Sequence, residues 1–375
     1  MIVYFILFLL LYNAFTFYIG WSGWKWLNSI RKLSNKVKVG YAFAIAIIAY
    51  AYPLGRFGAA PLFIEVIGYY WLVLMLYGLI LLPLAGVTVA LMKRFTRIDS
   101  RRLVRWTGSI VAVAIAVIFT IGTYMAYSPV VRSYPITIDK PVAMGSSLRI
   151  VMAADMHFGA LSNKKHAQRL VEKMNGLQPD LILLPGDIID DSLDEFLKQG
   201  IGDDLAKLEA KYGIYASLGN HDYRGGVEEL GEALAASGIQ LLVDEWAPIA
   251  DQLYVIGRED YSIEDRASLS EVMDGIDLAK PVLLLDHQPR ELDQIAASGV
   301  DLVVSGHTHR GQLAPGSSIT NRIYENDWGY LRKEALHSIV TSGFGFWGPP
   351  VRIGSRSEIA VIDVTFKPTA AASAN

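Results

Sequence analysis

The chain has 375 residues, 52% of them hydrophobic and 19% charged, with a formal net charge of −3. Soluble domains are usually about 45–50% apolar, so the excess points to membrane-embedded segments, while the near-neutral charge lacks the basic footprint that nucleic-acid binders carry. There are no cysteines, which excludes disulfides, thiolate metal sites and a cysteine nucleophile.

At roughly 100–200 residues per domain the length fits two units, and the apolar excess lies in the N-terminal one. A membrane-crossing helix needs about 20 mostly apolar residues. Four stretches qualify: 2–19, 39–52, 69–92 (with Pro83 as an expected kink) and 110–127. The second is the shortest and must borrow residues beyond Tyr52. The first has neither a basic leader nor a small-residue cleavage site, so it reads as a span rather than a signal peptide. The loop after the first span carries Lys25, Arg31, Lys32, Lys36 and Lys38, and the loop after the third carries Lys93, Arg94, Arg97, Arg101, Arg102 and Arg105. The loop between them has Arg56 offset by Glu65. Basic loops stay cytoplasmic, so the N-terminus and everything beyond the fourth span are expected outside. That orientation depends on the second span. The spans hold no interior charge of the kind that marks a transport pathway, so they read as an anchor. Residues 128–144, with Pro129, Pro135 and Pro141, read as an extended linker. The expected map is a transmembrane region at 1–127, a linker at 128–147, one domain at 148–366 and a disordered tail at 367–375.

From Leu148 onward, short apolar runs alternate with amphipathic stretches. Strands are expected at 148–153, 180–184, 213–217, 240–243, 253–256, 281–285, 301–304, 338–342 and 359–364. Helices are expected at 164–175, 193–208, 227–236 and from Pro289. Such alternation argues for an α/β domain with a buried sheet.

Five of these strands run directly into polar blocks. They are Asp155-Met156-His157, Gly186-Asp187, Gly219-Asn220-His221-Asp222, Asp286-His287 and Gly306-His307-Thr308-His309. Ligands of open α/β sheets bind beyond the carboxyl ends of the strands, so the five blocks should converge. Imidazole, carboxylate and amide oxygen suit divalent metals, and a metal pair can clamp the attacking and leaving oxygens of a phosphoryl displacement. Five of the seven histidines occupy these blocks. His166, in an expected helix, and His337, before an expected strand, read as surface residues. Asp190 and Asp191 read as helix caps, with support of a metal ligand as the alternative.

Together the five blocks, in this order and spacing, resemble the calcineurin-like metallophosphoesterase superfamily, and within it the membrane-associated phosphodiesterases of bacteria. Gly311-Gln312 and Pro350-Val351-Arg352 add to the likeness. Arg310 stands where those relatives have Gly, and Asp222 where many members have Glu. The likeness covers residues 148–364. It implies that the α/β domain following the four expected transmembrane helices is built as a two-sheet β-sandwich flanked by helices. It also implies two divalent metal ions (Mn, Zn or Fe). Asp155, His157, Asp187 and His309 would hold one, and Asp187, Asn220, His287 and His307 the other. The reaction implied is hydrolysis of phosphate esters, chiefly diesters, by a hydroxide that the two metals activate, with His221 as proton donor and Asp222 orienting it. Arg310 and Arg352 are candidate contacts to substrate. The segment 344–350 (Phe-Gly-Phe-Trp-Gly-Pro-Pro) reads as packing under the site or as an acyl-contacting loop. Tethering to the bilayer adds lipid-linked esters to the substrate candidates. The expected location is the inner (plasma) membrane of a bacterium with the domain outside the cytoplasm, and no nucleic-acid partner is expected. The competing readings are a phosphomonoesterase or protein phosphatase on the same scaffold, and a non-catalytic membrane sensor or transport component.

Overall fold

The computed structural model describes residues 2–57, 60–143, 145–190 and 192–367. The chain forms two compact units, Met1–Gly122 and Thr123–Asn375.

In the first unit lie α1 (Ile2–Ile30), α2 (Asn35–Phe57), α3 (Leu62–Phe95) and most of α4 (Ser100–Tyr127). All four are long and apolar enough to cross a membrane. The weak second stretch is thus a 23-residue helix, because helix persists through Pro53 and past both ends of its apolar run. α3 likewise continues through Pro83. Most apolar side chains of these helices face outward, with Val3, Phe5, Phe43, Leu84 and Val113 among the exposed ones. Side chains so placed suit hydrocarbon rather than water. The buried contacts are few and specific. Trp71 and Met75 of α3 meet Ile19 of α1 and Ala49 of α2. Gly68 lies against the Tyr52 backbone so closely that a Cβ there would overlap it, the small-residue device by which membrane helices approach.

The second unit opens with β1 (Val130–Pro141) and β2 (Ser147–Met152), then α5 (Lys164–Gly176), β3 (Leu181–Pro185), α6 (Leu193–Lys198) and α7 (Ile201–Leu205). It continues through β4 (Ile214–Ser217), α8 (Val227–Ala236), β5 (Gln240–Leu241), β6 (Glu245–Ile249), β7 (Leu253–Gly257) and α9 (Leu269–Val272). β8 (Val282–Leu285), α10 (Leu292–Ala297), β9 (Leu302–Ser305), α11 (Ser317–Ile323), β10 (Gly329–Lys333), β11 (Leu336–Val340) and β12 (Glu358–Lys367) complete it. Two mixed six-stranded sheets result, ordered β1-β12-β2-β3-β4-β5 and β10-β11-β9-β8-β7-β6.

Period-two alternation explains the layers. Leu181 and Leu183 face the other sheet and pack with Val255, Leu283, Leu302 and Val304. Their neighbours Ile182 and Leu184 point to the other face, among Leu170, Met174, Phe196 and Leu230 of the helices. Leu284 and Val303 play the same part beneath Val272, Leu292 and Ile295. The expected sandwich flanked by helices is what forms.

Three expectations need correcting. Residues 130–141 are not a linker: β1 pairs in parallel with β12 from Val130↔Glu358 onward. Ile136 and Ile138 are buried in the core, and Arg132 reaches the buried Glu358 carboxylate at 2.7 Å. β1 lies at the sheet edge, where the missing N–H groups of Pro135 and Pro141 are tolerated. Second, the single helix expected over 193–208 is split into α6 and α7, because Gly200 adopts a left-handed φ of 62° between them. Third, β6 and β10 were not foreseen; their half-exposed mixed sequences carry little apolar signal. Lys367, expected to begin the tail, is the last residue of β12; the rest of the expected tail, 368–375, lies outside the described residues.

Candidate metal centre

The five blocks leave the ends of β2, β3, β4, β8 and β9, and the turns are tight. Asp155, His157, Asp187, His307 and His309 all have φ between 45° and 68°. Each such residue costs on the order of 1–3 kcal/mol and persists only where its surroundings hold it. Here side chains hold the neighbouring backbones. Asp155 Oδ1 accepts from His307 N at 2.8 Å, and Asp187 Oδ1 accepts from His221 N at 2.8 Å. Gly219 and Gly306 admit these carboxylates: a Cβ on either would overlap Asp187 or Asp155.

All seven expected ligands come together. Asp155, His157 and His309 present donor atoms within 4.8 Å of one another, and so do Asp155, Asp187 and His287. His157 Nε2 is 3.1 Å from His309 Nε2, and His309 Nε2 is 3.5 Å from Asp155 Oδ1. Asp187 Oδ2 is 3.7 Å from His157 Nε2 and 3.2 Å from His287 Nε2. Asn220 Oδ1 is 2.9 Å from His307 Nδ1. Asp155 Oδ2 and His287 Nε2 are buried without a hydrogen-bond partner, although Asp187 is close to the latter. Buried polar atoms left unpaired are costly. A divalent cation among these oxygens and nitrogens would satisfy them, so the donor set fits the group.

The electrostatics divide the candidate ligands. Burial opposes charge on Asp187, yet the adjoining His287, then His157 and His221, hold its carboxyl well below the usual range. Burial also opposes a charged His287, and the Asp187 carboxylate overrides it. Burial pushes Asp155 up. Burial, aided by His287, lowers His307 to about 4. Burial and then Arg352 lower His309. Neutral imidazole is the form that binds metal.

His221 is placed differently. Its Nδ1 donates to the Asp190 carbonyl at 2.7 Å, which fixes the ring. Its ring meets that of His157 edge-on at 4.8 Å, and its donor atoms also lie within 4.8 Å of those of His157 and Asp187. The Asp190 carboxylate is 3.5 Å from His157 Nδ1. Asp190 therefore supports two site histidines and caps no helix; Ser192 caps α6. Asp191 lies outside the described residues.

Other expectations are corrected. Asp222 does not orient His221. Fully buried, it accepts from Ile188 N and Ile189 N at 2.9 and 3.0 Å and from Gly219 N at 2.8 Å. Burial and the Asp187 charge push its carboxyl up to about 7, against the pull of the N–H donors. Arg352 does not face substrate either. It is fully buried, with Nη2 3.0 Å from His309 Nδ1 and Nε 3.2 Å from the Gly345 carbonyl. Arg310 is half-buried, its guanidinium 3.7 Å over the Trp328 ring. His166 and His337 are buried, not superficial. His166 packs 4.3 Å from the Phe344 ring, and His337 joins Thr137 O at 3.0 Å and Tyr330 Oη at 2.9 Å. In 344–350, Phe344 and Phe346 are core while Trp347 is 58% exposed.

The family model of calcineurin-like phosphoesterases matches residues 148–311. An uncharacterized metallophosphoesterase of Helicobacter pylori (strain ATCC 700392 / 26695) is 31% identical over 240 residues, 62% of this chain and 63% of that protein. One of Aquifex aeolicus (strain VF5) is 31% identical over 249 residues, 63% of this chain and 92% of that protein. A transmembrane protein with metallophosphoesterase domain from Danio rerio is 31% identical over 255 residues, 63% of this chain and 57% of that protein. The chain thus spans under two thirds of the Helicobacter and Danio relatives. A crystal structure of a 5'-nucleotidase precursor from Thermus thermophilus overlays with a TM-score of 0.36 at 14% identity, covering 58% of this chain and 54% of that one; nothing about activity follows from so loose an overlay.

Proposed function

The chain belongs to the calcineurin-like phosphoesterase family, and we propose that its second unit hydrolyses phosphate diesters at a centre of two divalent metal ions. The observation that carries this is the convergence of seven ligand-type side chains, with buried Asp155 Oδ2 left without a hydrogen-bond partner. Asp155, His157, Asp187 and His309 would hold one ion and Asp187, Asn220, His287 and His307 the other. When bound, the ions would supply Lewis-acid charge for the phosphoryl oxygens and lower the pKa of water to about 7.

The protein's own groups do the rest. His221 delivers a proton to the leaving oxygen as the P–O bond breaks. Its Nδ1–H is engaged by the Asp190 carbonyl, so the transferred proton is the one on Nε2. Asp190 and Arg352 keep His157, His221 and His309 in place. Arg310, stacked on Trp328, lies next in sequence to His309 and is assigned a contact to a phosphate oxygen.

The diester preference rests on the sequence likeness to bacterial membrane phosphodiesterases. Attachment to four apolar helices favours a membrane protein that acts on lipid-linked esters. The basic loops favour the inner membrane with the second unit outside the cytoplasm. The test uses the full chain in nanodiscs, loaded with metal. It should cleave bis(4-nitrophenyl) phosphate faster than 4-nitrophenyl phosphate, and Asp187→Ala should lower turnover by roughly a hundredfold or more. Unchanged turnover in that variant overturns the metal-centre assignment; a faster monoester overturns the diester assignment.

A further inference from the structure

Beside the metal centre runs a cavity of about 310 Å³ lined by His307, His309, Leu313, Trp347 and Pro349. Two of these are metal-ligand candidates and three are apolar, and Thr308, Gly311 and Gln312 complete the lining. The cavity is built rather than incidental. The Gln312 side chain donates to Trp347 O at 2.8 Å and Pro349 O at 3.2 Å, and accepts from Trp347 N at 3.0 Å. Gln312 is itself buried and held at a left-handed φ of 43°. The Ala314 and Ile353 N–H groups donate to Ile353 O and Gln312 O at 2.7 and 2.9 Å, closing the wall beside Leu313. One amide therefore fixes the backbone of an aromatic residue that remains 58% exposed. An exposed tryptophan on a pinned backbone, next to a reactive centre, is a recognition feature rather than core packing.

The position of Trp347 says which part of a substrate it meets. Its ring meets the His221 ring edge-on, 6.2 Å between centres, and His221 protonates the leaving oxygen. The leaving group therefore departs on the Trp347 side. We propose that the Trp347–Leu313–Pro349 groove binds an apolar portion of the leaving group, so the preferred substrates are phosphate esters whose leaving alcohol or phenol carries an alkyl chain. This rests on the role given to His221 above. Hydrolysis frees that alcohol, which keeps its oxygen and gains the proton from His221, while the water oxygen ends on phosphorus.

Two series of diesters tell the sides apart. In methyl 4-alkylphenyl phosphates the chain is on the leaving phenol; in alkyl phenyl phosphates it is on the retained side. With the metal-loaded full chain in nanodiscs, kcat/KM should rise roughly two- to fourfold per methylene in the first series and stay flat in the second. Trp347→Ala should flatten the first series. A flat first series, or an equal rise in both, overturns the proposal. Calorimetric binding of 4-alkylphenylphosphonates, which needs no turnover, should strengthen with chain length in the unaltered protein and not in Trp347→Ala. Length-independent binding overturns the groove, whereas length-dependent binding without turnover of any ester supports the groove and overturns the hydrolase reading instead.

Discussion

A single carboxylate, that of Asp222, carries the backbone N–H groups of Ile188, Ile189 and Gly219. It thereby joins the loop after β3, which bears Asp187, to the loop after β4, which bears Asn220 and His221. Adjacency in sequence suggested a partner for the His221 ring, but the backbone turn after His221 points the carboxylate the other way. Removing a buried partner leaves several donors unpaired, at about 1–3 kcal/mol each. Asp222→Ala is therefore expected to lose roughly 3 kcal/mol or more of stability, and Asp222→Asn, which keeps an acceptor oxygen, to lose less. Denaturant unfolding of the metal-loaded protein measures this. A hundredfold loss of turnover in Asp222→Asn at unchanged stability would restore the orienting role. Arg352 and Asp190 were equally hard to place from sequence. Neither side chain is near its histidine partners along the chain, and only the closure of loops 309–312 and 343–352 brings Arg352 to His309.

Among the elements, β1 changes the working boundary of the catalytic unit. It pairs along β12 and covers Ile362, Val364 and Phe366 with Ile136 and Ile138. A fragment beginning at Leu148 would expose that core and leave β12 as an open edge, a template for association. Such a fragment is expected to aggregate, while one beginning at Thr123 should stay soluble and unfold in one cooperative transition. Size-exclusion chromatography with thermal unfolding separates the two outcomes, and a monomeric, cooperatively folding fragment from Leu148 would refute the argument. β1 was illegible because its prolines and alternating polar residues match an extended linker as well as an edge strand. The buried strands, by contrast, are unbroken aliphatic runs such as Leu181–Pro185 and Val282–Leu285. A run of that kind has few alternatives to a strand covered on both faces.

For the whole molecule, the proposed orientation in the membrane rests on the basic loops, and the lack of cysteines makes it directly testable. A cysteine placed at the exposed position Ser34, in the first basic loop, should resist a membrane-impermeant maleimide in spheroplasts until the cells are permeabilised. One placed at the exposed position Glu209, in the second unit, should label at once. The reverse pattern would put the catalytic unit in the cytoplasm. The four apolar helices, the alternating α/β pattern and the seven metal-ligand candidates could all be read from the chain alone. Each is a local signal: a continuous apolar length, a period of two, or polar residues at strand ends that the sheet must bring to one side. What only the tertiary structure decided is which side chains serve others. Asp222 binds backbone, Arg352 holds His309, Asp190 holds His221, and Gln312 pins Trp347 beside the centre. Those pairings join residues up to 43 positions apart or turn on one dihedral angle, and neither composition nor spacing encodes the direction in which a side chain points.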